Sequence, residues 1–502
     1  MPIRRTQIAR RVALVSCVAL AALSATAFAA DRPPSPDGGA KLQAFFAAYL
    51  GKQAQATISP ADPGYWVAFD LAGATAPMKT AGFAVDPATV KLRVVEQDAS
   101  AWRVELSNFP TLVAHIHAHD GGQSLEGTET VALPGVKGQA LIDPALGFWR
   151  VVSGEADSAN VEANFTGVNE AIQIGALKVN GTAQAGADGA VSATIAQTAA
   201  NANFKFDINP KAATAGADAP AADAQPYSVT AKTDQISVDV KLDGLKTGPL
   251  LDLWTFLVAH PTRPELAANE AAFKTLIAAA LASQAKGEET VNIEKIAAQI
   301  PQGQITIDSA KFGGSAAIGP TGAFGEHFEA NGLTLPETLI PATFRGFAPT
   351  SFAIGFRASG FDVAAASAET IADLHLAGDG PAIAPDDEAK IRAKLIGPDG
   401  VIIDIEPSHI VAPLLDVSFE GHIVYKGAKP TGKLTVHMRN FDKTQAALKT
   451  LGPDIQKKVA PLLAMAKGFA KTDGDGSLVW VGEIGADGVM KLNGLPLGKA
   501  PI

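Results

Sequence analysis

The segment Ile236-Ser-Val-Asp-Val-Lys-Leu-Asp243 alternates large apolar residues with polar ones without a break. Successive side chains of a β-strand point to opposite sides, so this alternation predicts a strand with one buried and one solvated side. The same two-residue period occurs upstream in residues 65–71, 90–94 and 102–106. This pattern is typical of antiparallel sheets, in which one face can meet water.

Helical signals follow several of the predicted strands. One helix is expected from Pro249 to the residue before Pro261, and another from about Pro264 to Ser283. The order recurs downstream, where predicted strands 352–360 and 401–405 flank a helix at 385–395, and strands 433–439 and 477–484 flank one or two helices in 443–471. The sequence therefore predicts an α+β fold that is predominantly antiparallel β, with extended twisted sheets and strand-helix-helix-strand insertions.

Four of the predicted strands end in a similar way, with Asn or Gly before a large apolar residue. The four pairs are Asn108-Phe109, Gly244-Leu245, Gly360-Phe361 and Asn440-Phe441. Asn and Gly tolerate the left-handed backbone that turns a chain out of a sheet, and the apolar residue can hold the next segment against that sheet. The similarity indicates an internal repeat in the C-terminal part, although ordinary turn chemistry occurring independently would give the same pattern.

Residues 1–29 have the features of an export signal. Arginines at positions 4, 5, 10 and 11 precede an apolar run from Val12 to Leu23, and Ala27-Phe28-Ala29 supplies the small residues that signal peptidase requires. Cleavage would release a mature periplasmic protein that begins near Ala30 or Asp31. The apolar stretch is also just long enough to span a bilayer, so retention as a membrane anchor is the alternative.

Charge and cysteine content limit the classes of function. The chain of 502 residues has a formal net charge of -10, which becomes -14 without the four arginines of residues 1–29. Such a surface should repel nucleic acid. Cys17 is the only cysteine and precedes the expected cleavage site, so the mature chain would have no disulfide and no thiolate metal site. No motif in the sequence implies a cofactor.

A stretch without large apolar residues suggests how the mature chain is divided. Residues 211–225 consist mainly of Ala, Asp, Gly and Pro and cannot bury enough surface to fold alone. We expect a signal peptide at 1–29, an N-terminal β-rich domain at 30–210, a linker or disordered loop at 211–226, and a C-terminal α+β domain with internal repeats at 227–502.

The segment His115-Ile-His-Ala-His-Asp120 is the one candidate for metal chemistry. In a strand its three histidines would project from one face, with neighbouring ones about 6.6 Å apart, so that His115 and His117 could share a zinc ion. His115 and His119, at roughly 13 Å, could not. The order departs from the H-x-H-x-D-H signature of metallo-β-lactamase-like hydrolases, and a polar strand face that is incidentally rich in histidine explains it as well. No set of catalytic residues is predicted, and no nucleophile elbow, phosphate-binding loop or H-E-x-x-H motif is present.

The segments 432–441 and 485–497, together with Asn331-Gly332-Leu333, give the C-terminal part a resemblance to known proteins. The last 270 residues or so resemble secreted alphaproteobacterial proteins assigned to domains of unknown function, with a looser similarity to YdgA-like and AsmA-like envelope proteins. The AsmA-like group implies long, curved antiparallel sheets with an apolar groove, an N-terminal membrane anchor, and roles in envelope assembly or lipid handling. It implies no catalytic residue.

The function favoured by these observations is that of a non-enzymatic periplasmic envelope protein. Its β-sheet scaffold would bind a lipid or another apolar ligand on faces that helices cover only in part. A purely structural or interaction module that binds another envelope protein is the alternative. A metal-dependent hydrolase using His115 and His117 is a lesser alternative. Membrane association is expected if the N-terminal segment is retained.

Overall fold

The computed structural model describes residues 31–50, 56–97, 101–120, 123–209, 225–283, 285–378, 380–426, 429–450 and 452–499. The chain divides into two compact units, Met1–Asn269 and Glu270–Ile502. Strands make up 53% of the structure and helices 24%. The strand pairs given by the structure are antiparallel, which confirms the predicted fold class of mostly antiparallel β with some helices.

The first unit contains fourteen strands and four α-helices within its described residues. The helices are α1 (Gly38–Leu50), α2 (Leu71–Thr75), α3 (Thr247–Ala259) and α4 (Arg263–Ala268). The strands are β1 (Ala56–Pro60), β2 (Tyr65–Asp70), β3 (Phe83–Val85), β4 (Thr89–Glu96), β5 (Trp102–Leu106), β6 (Leu112–Asp120), β7 (Gln123–Ala132), β8 (Lys137–Asp143), β9 (Phe148–Ala156), β10 (Ala159–Phe165), β11 (Val168–Ile174), β12 (Leu177–Ala185), β13 (Ala190–Ile208) and β14 (Tyr227–Lys246).

The long strand β13 joins two arms of strands in this unit. One arm runs β13-β12-β9-β8-β5-β4-β2-β1, and the other runs β13-β11-β10-β7-β6-β3. Leu106 and Val179 from the first arm share one buried apolar cluster with Val131, Val161 and Ile172 from the second. The two arms therefore pack against each other, and burial of these side chains stabilises the unit.

The predicted linker does not coincide with the boundary between the compact units. Residues 210–224 lie outside the described residues, so the predicted linker or disordered loop at 211–226 stays a prediction. On either side of that segment, β13 and β14 pair from Ala190 with Lys246 to Ile208 with Tyr227. The segment thus connects two neighbouring strands, and the first unit continues as far as Asn269.

The second unit contains eleven strands and five α-helices within its described residues. The helices are α5 (Glu270–Leu281), α6 (Val363–Ala372), α7 (Pro385–Lys394), α8 (Phe441–Leu448) and α9 (Pro453–Phe469). The strands are β15 (Ala285–Ile300), β16 (Gly303–Ile318), β17 (Thr321–Asn331), β18 (Ser351–Asp362), β19 (Val401–Ala412), β20 (Leu415–Lys426), β21 (Lys429–Arg439), β22 (Lys471–Thr472), β23 (Leu478–Ile484), β24 (Val489–Leu492) and β25 (Leu495–Lys499).

The strands of the second unit form an antiparallel meander from β15 to β21, which β23, β24 and β25 extend. Helices α6 and α7 connect β18 to β19, where the sequence predicts the second of them alone. Helices α8 and α9 follow β21, where one or two helices are predicted. The single helix expected from Pro264 to Ser283 is wrong. Asn269 ends α4 with a non-helical backbone, and α5 begins at Glu270.

An ion-pair network surrounds Asp31, the first residue that the structure describes. Arg103 lies 2.6 Å from an Asp31 carboxylate oxygen and 2.7 Å from Glu105. Gln97 also donates a hydrogen bond to Asp31. The hydrogen bond from Arg103 lowers the pKa of Asp31 below its usual value of 3.8, although burial acts in the opposite direction. Arg103 thus connects Asp31 to strand β5, and Gln97 connects it to the residue that follows β4.

Replacing Asp31 by asparagine should therefore lower stability in a pH-dependent way. Because the folded-state pKa lies below the unfolded value, the stabilisation is fully present above about pH 4 and is lost as pH falls through the lowered pKa. We expect a loss of about 0.5–1 kcal/mol at pH 7, since the pair is partly exposed. Urea unfolding at pH 7 and at pH 2.5 measures this loss in the free energy of unfolding. The control is Asp234→Asn, because Asp234 is exposed and has no ion-pair partner in the described parts of the chain. Equal losses of stability in both variants would contradict the prediction.

Candidate ligand-binding surface

The two faces of the second unit's sheet differ sharply in chemistry. One row of directly paired residues crosses five strands as Arg357, Asp404, His422, Lys433 and Glu483. We call the side that carries this row the polar face. Several of its side chains are paired there; His422 Nδ1, for example, lies 2.6 Å from an Asp404 carboxylate oxygen.

The opposite side carries mainly aromatic and aliphatic side chains. In successive rows Phe328 pairs with Phe312 and with Ile354, and Phe356 pairs with Ile405. We call this side the apolar face. Its members include Phe312, Phe324, Phe328, Phe352, Ile354, Phe356, Ile403, Ile405, Ile410, Phe419, Ile423, Leu434, Val436 and Trp480. The alternation of side chains along the strands separates the two chemistries.

A β-bulge in β19 keeps the apolar face continuous. The register with β18 and with β20 shifts between Ile405 and Ser408, around Pro407. Proline cannot donate a ladder hydrogen bond and is accepted in a sheet at such bulges. The Ser408 hydroxyl accepts a hydrogen bond from the Gly355 backbone N–H at 3.2 Å and donates one to the Glu406 carbonyl at 2.7 Å. The extra residue places Ile410 on the same side as Ile405.

Helices pack on one end of the apolar face. The Trp480 indole N–H donates a hydrogen bond to the Ala466 carbonyl of α9 at 2.8 Å, and the ring centroids of Trp480 and Phe441 lie 6.1 Å apart. Phe441 is the first residue of α8 and is 5% exposed. Helices α8 and α9 therefore contact the apolar face where it reaches β23.

The part of the apolar face on β16, β17 and β18 is exposed. Phe312, Phe328 and Ile354 form one row, and their exposed fractions are 41%, 43% and 40%. Phe324, in the same area, is 43% exposed although it stacks on Phe361. The buried apolar clusters of the described residues contain only residues of the first unit. Contiguous exposed apolar surface of this kind is a candidate interaction surface.

The sequence predicted His115 and His117 as metal ligands, and the structure places both on β6. His115 Nε2 lies 2.9 Å from a carboxylate oxygen of Asp86, and His117 is exposed. Within the described residues, no group of three His, Cys, Asp or Glu side chains is placed to hold a metal ion. The side chain of His119 is outside the described residues. The metal site on His115 and His117 stays a prediction.

A cavity of about 390 Å³ lies in the first unit, lined in part by Val168, Asp207 and Tyr227. It sits where β13 ends and β14 begins, next to the segment that the structure leaves undescribed. Its wall combines apolar side chains with Asn169, Asn209 and Asp207. The apolar face has a more uniform chemistry, so it is the stronger candidate for a binding surface.

One family model matches the C-terminal part of the chain. Residues 255–501 match the model of a family described as "Uncharacterized protein conserved in bacteria (DUF2125)". No curated protein matches the chain, and no solved structure does. A DUF2125 domain is therefore present, and it includes all strands of the apolar face. The expectation of a domain of unknown function in the last 270 residues is confirmed at this level, while the YdgA-like and AsmA-like similarity stays a hypothesis.

Proposed function

We propose that this chain is a non-enzymatic, periplasmic protein of the bacterial envelope whose DUF2125 domain binds the alkyl chain of a lipid. The observation that carries the proposal is the exposed row of Phe312, Phe328 and Ile354 on the apolar face. Removing such surface from water is favourable by about 25 cal/mol per Å². The export signal in residues 1–29 would bring the domain to membranes that contain such chains.

The chemistry of the surface favours an alkyl chain over a protein partner. Strands β16, β17 and β18 use their backbone groups to pair with one another and with β15 and β19. An incoming protein would find few hydrogen-bonding groups there, whereas protein interfaces average about one hydrogen bond per 100–200 Å². An alkyl chain needs none. The AsmA-like resemblance, with its apolar groove and role in lipid handling, agrees with this proposal.

The location in the periplasm is a separate part of the proposal. The structure does not describe residues 1–30, and within the described residues no helix is both long and apolar enough to cross a membrane. Expression of the full chain with its own signal, followed by mass measurement under denaturing conditions, tests cleavage after Ala29. An intact N-terminus would contradict cleavage and favour the anchored form.

Replacing Phe328 by alanine should weaken binding of an alkyl probe about tenfold. Phe328 lies at the centre of the exposed row, so its truncation removes apolar contact with the probe. Binding of decyl-chain probes to the purified full chain can be measured by calorimetry below their micellar concentrations. The control is Phe344→Ala, because Phe344 is 37% exposed and belongs to the 3₁₀ helix at Ala342–Phe347 instead of the sheet. Equal affinities for both variants, or no binding to the unmodified chain, would contradict the proposal and favour a structural module.

A further inference from the structure

A carboxylate of β17 stands among the exposed phenylalanine side chains of the apolar face. Glu326 lies on β17 between Phe324 and Phe328, two residues from each, so all three side chains project from the same side. Glu326 is exposed and has no hydrogen-bond or ion-pair partner among the described residues. Carboxylates of the polar face, such as Asp404 and Glu329, do have partners.

The surroundings of Glu326 are aromatic on three sides and open on the fourth. Phe356 pairs with it from β18, and Gly314 pairs with it from β16. A Cβ atom added at Gly314 would approach only the Phe312 ring, at 4.0 Å. The missing side chain at Gly314 therefore leaves space beside the carboxylate. Glu289 of β15 pairs with Gly314 from the far side and borders the same space.

The charge of Glu326 restricts which alkyl ligand the surface can take. A chain that covers Glu326 removes water from its carboxylate, and this is costly unless a counter-charge or a donor replaces the water. A ligand with an anionic end would be repelled as well. An ammonium group would form charge-assisted hydrogen bonds with the carboxylate, and the faces of the neighbouring phenylalanine rings attract a cation.

We propose that the ligand of the apolar face is an aminolipid, an alkyl chain whose polar end carries an ammonium group that binds Glu326 in the space above Gly314. This inference rests on the proposed function, since it specifies the class of lipid for the same surface. The alkyl chain lies along the row of Phe312, Phe328 and Ile354, and the ammonium group meets Glu326 one row away.

Three probes that share one chain and differ only in the end group test the inference. Decylammonium, decan-1-ol and decanoate are titrated into the full chain at pH 7, below their micellar concentrations. We expect decylammonium to bind at least tenfold more tightly than decan-1-ol, and decanoate to bind most weakly. In Glu326→Gln the advantage of the amine over the alcohol should be largely lost, because Glu289 alone of this pair of carboxylates then borders the space above Gly314. Glu420→Gln, at an exposed position of β20 on the polar face, should leave all three affinities unchanged.

The charge reversal Glu326→Lys provides an independent readout, because it should reverse the preference so that decanoate binds more tightly than decylammonium. Equal affinities of the three probes for the unmodified chain would overturn the inference while leaving lipid binding intact. An amine preference that survives in both Glu326 variants would also overturn it. Failure of all three probes to bind would overturn the proposed function together with the inference.

Discussion

Replacing Phe441 by alanine is expected to lower the free energy of unfolding of the second unit by about 3–5 kcal/mol. Phe441 is only 5% exposed, and its ring lies against Trp480 on the apolar face. The Lys467 ammonium lies 5.8 Å from the centroid of the same ring. The substitution removes a large buried side chain at the first residue of α8, where the surrounding sheet and helix can collapse only partly into the cavity.

Trp480 gives this prediction a direct optical readout. It is the only one of the five tryptophans that lies in the second unit, so its fluorescence reports on the contact that Phe441 makes. Urea unfolding of the full chain, followed by tryptophan emission and circular dichroism, measures the change. Phe344→Ala is the control, because this phenylalanine is already exposed and its loss should cost less than 1 kcal/mol. A similar small cost for Phe441→Ala would show that α8 is not anchored by this side chain.

The role of Phe441 could be predicted from the sequence because it depends on local chemistry. The pattern of Asn or Gly before a large apolar residue was expected to turn the chain out of a strand. The structure has the left-handed backbone at Gly244, Gly360 and Asn440, with φ values of 75°, 83° and 57°. Asn108 is the exception, since it is not among the positive-φ residues. It precedes another strand, β6, and no helix starts there.

Two strands were missed or predicted too short because their alternation is weakened by small residues or interrupted. Strand β17 contains Gly322 and Gly325, so its apolar period depends on Phe324 and Phe328 alone. Strand β19 continues through Pro407 to Ala412, although Val401–Ile405 was the predicted extent. A proline inside a strand normally argues against the assignment, and only the bulge at Ser408 makes it compatible with the sheet.

The candidate site itself could be predicted only in part. Alternation along one strand shows that a face is apolar, which is why a sheet with partly covered faces was expected. It does not give the register between strands, so it cannot show that Phe312, Phe328 and Ile354 form one row or that Glu326 lies beside Gly314. Those neighbours come from three strands, and their proximity depends on long-range pairing. His115 and His117 stood out in the sequence because they are close along the chain.

Replacing Gly82 by alanine is expected to destabilise the first unit by about 3 kcal/mol or more, because two separate costs add. Gly82 has a φ of 82°, in the left-handed region that costs a residue with a side chain about 1–2 kcal/mol. A Cβ atom at this position would lie 1.8 Å from the His117 carbonyl oxygen. This overlap with backbone of β6 cannot be relieved by a rotamer change, so the pairing of β3 with β6 must shift.

Gly189 separates the two costs. Its φ is 72°, nearly that of Gly82, but a Cβ atom there would meet nothing within 4 Å. Gly189→Ala should therefore cost only the backbone strain, about 1 kcal/mol, and the difference between the two variants measures the overlap at His117.

Hydrogen exchange gives a second measurement of the same overlap. If the pairing of β3 with β6 shifts in Gly82→Ala, the hydrogen bond that the His117 N–H donates to the Gly82 carbonyl at 2.7 Å should break, and exchange at that amide should become faster. Equal unfolding free energies for the two variants, with unchanged hydrogen exchange at His117, would contradict this prediction. In that case β3 and β6 tolerate the added methyl group, and the close approach of Gly82 to His117 does not determine the position of β6.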